Sequence, residues 1–176
     1  MCKKYIVRFK FSDGGVCNLC LDEAYAPLTV NHFVNVIKSK VLNGSIFHRV
    51  IENFMVQAGG YKIEDNTLIE IENVSNVKGE FKSNGFENNL KHELGVISMA
   101  RTQDKDSGTS QFFLCAETCP WLDGEYAAFG YCVDEESKEA ILRISHVQTG
   151  RLHPYFTDFP LEPIYIDDVS IIEEKE

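Results

Sequence analysis

A chain of 176 residues with 44% hydrophobic and 25% charged side chains has the make-up of one soluble globular domain, spanning 1–176, with a single core. Its formal charge of −10 argues against nucleic acid as a partner, which would need a clustered basic face. No run reaches the ~18 apolar residues of a membrane span, so no membrane contact is expected.

Lys3, Lys4, Arg8 and Lys10 interrupt any apolar leader, and nothing marks export, so the expected location is cytoplasmic. In that compartment Cys2, Cys17, Cys20, Cys115, Cys119 and Cys132 are expected to be reduced thiols. Residues 4–11 alternate polar and apolar, and Ser12-Asp13-Gly14-Gly15 turns the chain into a second run over 16–21, a hairpin signal. Cys17 and Cys20 have the spacing of zinc or redox pairs. Zinc would need two more ligands at suitable spacing, and redox pairs sit at helix N-termini rather than in strands. No metal or cofactor is expected. Asn43-Gly44-Ser45 and Asn73-Val74-Ser75 fit the glycosylation pattern, but without export they read as ordinary turn and strand residues.

Val30, Phe33, Val34, Ile37 and Val41 recur at three and four, predicting a helix over 30–42 with Thr29 as N-cap and Asn43-Gly44 as its stop. Residues 47–60 organise the rest. Two runs rich in Val, Ile and Phe, with a small turn at Glu52-Asn53, read as paired strands ending at Gly59-Gly60. Met55 and Gln57 share one face, Phe54 and Val56 the other, and Arg49 has the parity of Met55. Such a surface suits an apolar group carrying one acceptor. The pattern alone fits equally well an Arg at a sheet edge, stem packed and head in water.

Residues 61–89, rich in Asn, Glu, Lys and Gly, are too long for a featureless connection and read as ordered surface loops flanking a site, with a short strand at Ile69 and Ile71. Strands are predicted over 94–100 and 110–115, separated by a polar loop at 101–109. A turn at 121–126 leads into another strand. A second helix runs from its cap Asp134 to about Ile144, with Glu135 and Glu136 in the first turn. A last strand over 163–172 precedes a frayed tail. Two helices against many short strands fit a closed sheet. By residue type alone, Phe54 and Phe113 could be plain core, Trp121 buried packing and His48 structural.

Phe47 to Gln57 reads Phe-His-Arg-Val-Ile-x-x-Phe-Met-x-Gln before Gly59-Gly60. It resembles the signature of the cyclophilins, the cyclosporin-binding peptidyl-prolyl isomerases. Met99-Ala100, Ser110-Gln111-Phe112-Phe113 and the stretch from Trp121-Leu122-Asp123-Gly124 to Phe129-Gly130 resemble further signatures of that family, in its order. The loop at 101–107 is more similar to bacterial members. The resemblance implies a mainly β fold: a closed eight-stranded antiparallel barrel capped by two α-helices, with its site on the outer wall.

It also implies peptidyl-prolyl cis–trans isomerisation without a cofactor. Arg49 and Gln57 are then the catalytic pair, and Phe54, Met55, Phe113 and Leu122 form the proline socket. Gln57 and Gln111 hold the substrate backbone or steady the guanidinium, the backbone at Ala100 and Arg101 pairs with the peptide, and Trp121 stands at the rim. Tyr126 replaces a pocket-wall histidine of many relatives, altering depth and ligand preference. Arg101 replaces an asparagine and adds positive charge favouring acidic residues near the proline. Proline-containing peptides, unfolded proteins and cyclosporin A are the implied partners of a monomer. A competing reading keeps the fold but makes it a proline-peptide-binding chaperone or scaffold with little turnover; the presence of Arg49 argues against it. Asp106-Ser107-Gly108-Thr109-Ser110 spells an aspartic-protease phrase, but that chemistry needs a second carboxylate sharing a proton, and no second copy exists.

Overall fold

The structure, a computed structural model, describes residues 2–152 and 155–176. Alternating side chains pair β1 (Lys4–Phe11) with β2 (Val16–Asp22) around the predicted turn, where Gly14 takes φ +89°. Then come α1 (Pro27–Lys38), β3 (Arg49–Ile51), β4 (Met55–Ala58), β5 (Tyr61–Glu64), β6 (Thr67–Glu70), β7 (Val96–Met99), β8 (Phe112–Cys115) and β9 (Ala128–Cys132). The chain ends with α2 (Glu135–Ser145), β10 (Thr149–Gly150), β11 (Phe159–Pro160) and β12 (Ile166–Lys175). Among the described residues no helix is long and apolar enough to cross a membrane.

Eight strands form one antiparallel sheet in the order β12-β1-β2-β9-β7-β8-β4-β3. The sheet curls around a core but is open, not the closed barrel expected, because its edge strands β12 and β3 form no ladder. Isolated bonds span the seam: Ile46 opposite Tyr165, Phe47 N–H to Ile164 O at 3.0 Å, and Val50 N–H to Asp158 O at 2.9 Å. Pro160 and Pro163 lie in the segment facing the seam and have no N–H to extend the pairing.

The first helix starts three residues earlier than predicted and stops at Lys38. Pro27, with its φ already fixed, serves as first helical residue, and Ala26 rather than Thr29 is the N-cap. Thr29 lies one turn in, and its N–H and hydroxyl both donate to Glu80 Oε1 at 2.7 Å. A carboxylate 51 residues away thus satisfies a free donor of the helix start. The second helix is capped as read: Asp134 accepts from Ser137 N–H at 2.8 Å.

Two further departures concern strands. Residues 61–70 form a hairpin, β5 with β6, whose turn residues Asp65 and Asn66 have φ +50° and +61°. Those angles suit a tight turn matched to strand twist. The tail expected to fray is paired, Lys175 facing Lys4 and Glu174 facing Tyr5.

Period-2 alternation gives the sheet two apolar faces. Inside the curl, Phe9, Leu19, Phe112 and Phe129 pack with Phe33 of α1 and Ile141 of α2. Outside, Met55, Val96, Phe113, Cys115, Cys119 and Leu122 form a second cluster with Phe54 and Tyr126 against it. Cys17 and Cys20 are three residues apart on β2 and so point to opposite faces, which rules them out as joint ligands of one metal.

Candidate active site

The outer cluster floors a hollow of about 120 Å³ lined by Arg49, Phe54, Met55, Gln57, Ala100, Arg101, Phe113, Leu122 and Tyr126. Register brings them together: Arg49 faces Gln57, Gln57 faces Phe113, and Phe113 faces Ser98, one row across β3, β4, β8 and β7. The turn between β3 and β4, with Asn53 at φ +61°, keeps Arg49 and Met55 on the hollow side. Phe54 belongs to that turn, so strand alternation does not reach it, and it lines the hollow beside Met55 instead of sharing the face of Val56.

The Arg49 guanidinium is exposed, 6.0 Å from the centre of the Phe54 ring, with Nη1 3.4 Å from Gln57 Oε1. Gln57 Nε2 donates to Gln111 Oε1 at 2.9 Å, so an amide chain braces the cation. Gly60 leaves room for that chain; a methyl there would come within 2.5 Å of the Gln111 amide. Trp121 stands outside the hollow, 61% exposed, its ring 5.7 Å from Phe54. Tyr126 meets Phe113 edge-on at 5.7 Å.

Arg101 is more fixed than its sequence suggests. Its Nε and Nη2 donate to Glu125 O at 3.2 and 2.7 Å, and its guanidinium lies 4.6 Å from the Tyr126 ring and 5.0 Å from that of Phe81. Ala100 N–H donates to Gln111 O at 3.0 Å and so is closed to a bound peptide.

Beneath Phe113 lies a buried group that sequence reading missed. The His92 ring stacks on Phe113 at 6.0 Å; Nδ1 is 2.9 Å from Asp123 Oδ1 and Nε2 2.8 Å from Ser98 Oγ. A carboxylate only accepts, so Nδ1 carries the proton and the Ser98 hydroxyl donates to Nε2. Burial lowers the affinity of His92 for a second proton, although Asp123 opposes the shift. Because Ser98 is fully buried, the trio ties the 119–126 turn to β7 and has no open side for a nucleophile. Asp123 sits within the Trp-Leu-Asp-Gly stretch and could have pointed to it; His92, amid polar loop residues, gave no signal.

His48 is buried beside Tyr61, and its Nδ1 has no hydrogen-bond partner among the described residues. Burial, helped by the neighbouring Arg49, lowers its pKa from 6.5 to about 4. Below pH 6.5 the unfolded chain takes up a proton that the folded chain refuses until about pH 4, so stability falls as pH drops through that window. The expected loss is at most roughly 3 kcal/mol. Urea unfolding between pH 7 and 4 should show it, and His48→Leu should flatten the slope; an unchanged slope would contradict this assignment.

Asp106 is held by Gly79 N–H and by Asn84 Nδ2, both at 2.9 Å, which keeps its carboxyl below the usual carboxylate range. It ties a loop. Asp106→Asn should leave the prolyl isomerisation that the resemblance implies within about 2-fold, as measured by exchange kinetics. A tenfold or larger loss, roughly 1.4 kcal/mol on the barrier, would give the carboxylate a part in turnover.

Residues 6–171 match the family model described as cyclophilin type peptidyl-prolyl cis–trans isomerase. Peptidyl-prolyl cis–trans isomerase A of Dickeya dadantii is 38% identical over 93% of this chain and 83% of its own. Peptidyl-prolyl cis–trans isomerase B of Escherichia coli is 33% identical over 96% and 100%. Among solved structures, a cyclophilin type peptidyl-prolyl cis–trans isomerase of Cryptosporidium parvum superposes with TM-score 0.76 at 23% identity, covering 97% of this chain and 98% of that one. A second crystal structure under the same name was determined in the presence of the dipeptide Ala-Pro. The curled sheet, its outward hollow and these matches define an enzyme of the peptidyl-prolyl isomerase class. Within that class, the chain belongs to the cyclophilin type.

Proposed function

We propose that this chain speeds rotation about X-Pro bonds by seating the proline ring against Phe54, Met55, Phe113 and Leu122 while Arg49 donates to the proline nitrogen. Conjugation of that nitrogen with the carbonyl sets a barrier of ~18–20 kcal/mol. In the twisted state the lone pair leaves conjugation and becomes an acceptor. A donor aimed at it then binds the transition state more tightly than either planar isomer, which lowers the barrier. The guanidinium keeps its charge at every working pH and offers several donors in a rigid fork. No proton transfer, nucleophile or metal enters the step.

The observation that carries this reading is Arg49 on the lip of an apolar, outward hollow, braced through Gln57 and Gln111. Since Ala100 N–H is engaged, backbone pairing with the peptide falls to the Ala100 carbonyl and the Arg101 backbone. The Ala-Pro dipeptide in whose presence the Cryptosporidium parvum structure was determined has the chemistry of the proposed substrates, proline-containing peptides and unfolded chains. Cyclosporin A is a further proposed ligand, met by the exposed indole of Trp121. The proposed setting is a monomeric single domain in the cytoplasm without nucleic-acid or membrane partners, supported by a net charge of −10 and six free thiols. Cis-to-trans exchange of a short X-Pro peptide, with and without the protein, tests the proposal; binding without acceleration would make the chain a scaffold.

A further inference from the structure

We propose that this hollow selects X-Pro segments carrying a carboxylate side chain within two residues of the proline, an inference that rests on the isomerase reading above. Beside the hollow lies a shallow depression of about 10 Å³ whose lining includes Lys78, Phe81, Arg101, Lys105 and Gly108. Arg101 lines both. An extended peptide advances ~3.3 Å per residue, so a segment with its proline in the hollow carries a neighbouring side chain past Arg101. The depression is too small to engulf that side chain; a carboxylate would rest on its lip.

What marks the place is cationic charge held by neutral partners. Arg101 donates to the carbonyls of Glu125 and Thr102, and Lys105 Nζ donates to Ser83 O at 2.7 Å. Arg49 reaches only the Gln57 amide. Among the described residues, none of Arg49, Lys78, Arg101 and Lys105 has a carboxylate within ion-pair distance. Yet acidic residues outnumber basic ones 27 to 17. The nearby acids keep their charge but point to neutral donors, Asp106 to Gly79 and Asn84, Asp104 to the Asp106 N–H and Glu125 to the Ser83 hydroxyl, and Asp106 feels Lys78 at longer range. Carbonyls and aromatic rings orient a guanidinium without cancelling its charge. The margin of the hollow therefore presents guanidinium and ammonium groups without a carboxylate in direct contact, and an incoming carboxylate can supply that pair.

The test uses the intact chain and tetrapeptides that differ only in Glu, Gln or Lys at each of the two positions before proline. At low salt kcat/KM should be roughly 5-fold higher for Glu than for Gln, with Lys below Gln, and about 0.5 M NaCl should shrink the gap to under about 2-fold. Lys78→Glu with Lys105→Glu should reverse the order; if that variant misfolds, the salt series on the natural chain decides. Equal kcat/KM for the three peptides, or an order indifferent to salt, overturns the selectivity alone. Failure to turn over even the Gln peptide overturns the isomerase reading and takes the selectivity with it.

Discussion

Arg49→Ala should lower kcat and kcat/KM for a short X-Pro peptide together, by roughly 10²–10³-fold, with peptide affinity changed only a few-fold. The equal fall follows from the proposed role. A donor that meets the nitrogen only in the twisted state contributes nothing to binding the planar isomers. The side chain is exposed and, among the described residues, makes one long hydrogen bond, to Gln57, besides standing over the Phe54 ring, so its loss strands no buried charge and thermal unfolding should be close to that of the natural chain. Arg49→Lys restores charge but not the planar fork, and should recover only part of the rate. Exchange NMR at substrate saturation, paired with a binding titration, reads both quantities. Full turnover by Arg49→Ala would sink the proposed mechanism.

The second large effect lies inside the curl. Phe33 of α1 is fully buried, with its ring 5.5 Å from that of Phe112 and 5.1 Å from that of Phe129. Truncating it removes both ring contacts and leaves a void between α1 and the side chains of β8 and β9. Phe33→Ala should cost about 3–5 kcal/mol in urea unfolding. Leu28→Ala, on the same helix but 53% exposed, should cost less than about 0.5 kcal/mol. Similar losses for the two would mean that α1 is not docked by its Phe33 face.

These contrasts also show what the amino-acid order could reveal. Arg49, Met55 and Gln57 could be placed on one face because a tight turn joins adjacent strands, so local parity survives pairing. Phe112 and Phe113 separate into inner and outer faces for the same reason. Contacts between distant segments were another matter. The Glu80 cap on α1, the stacking of His92 under Phe113 and the tether of Arg101 to Glu125 each join segments that no periodicity links. Of the 61–70 hairpin only the strand around Ile69 was legible; its partner over 61–64 escaped because both strands are largely exposed and show little apolar alternation. Closure of the sheet was overread because it depends on the segment 158–165, ahead of β12, meeting the chain around β3, where Pro160 and Pro163 have no N–H to pair.

Adjacent Phe112 and Phe113 tie the proposed proline seat to the fold through the register of β8. Sliding β8 by one position against its neighbours would drive an outward ring into the interior and eject an inward one, undoing the packed interior and the floor of the hollow at once. A chain that keeps this interior packed therefore keeps the floor of the hollow in register as well.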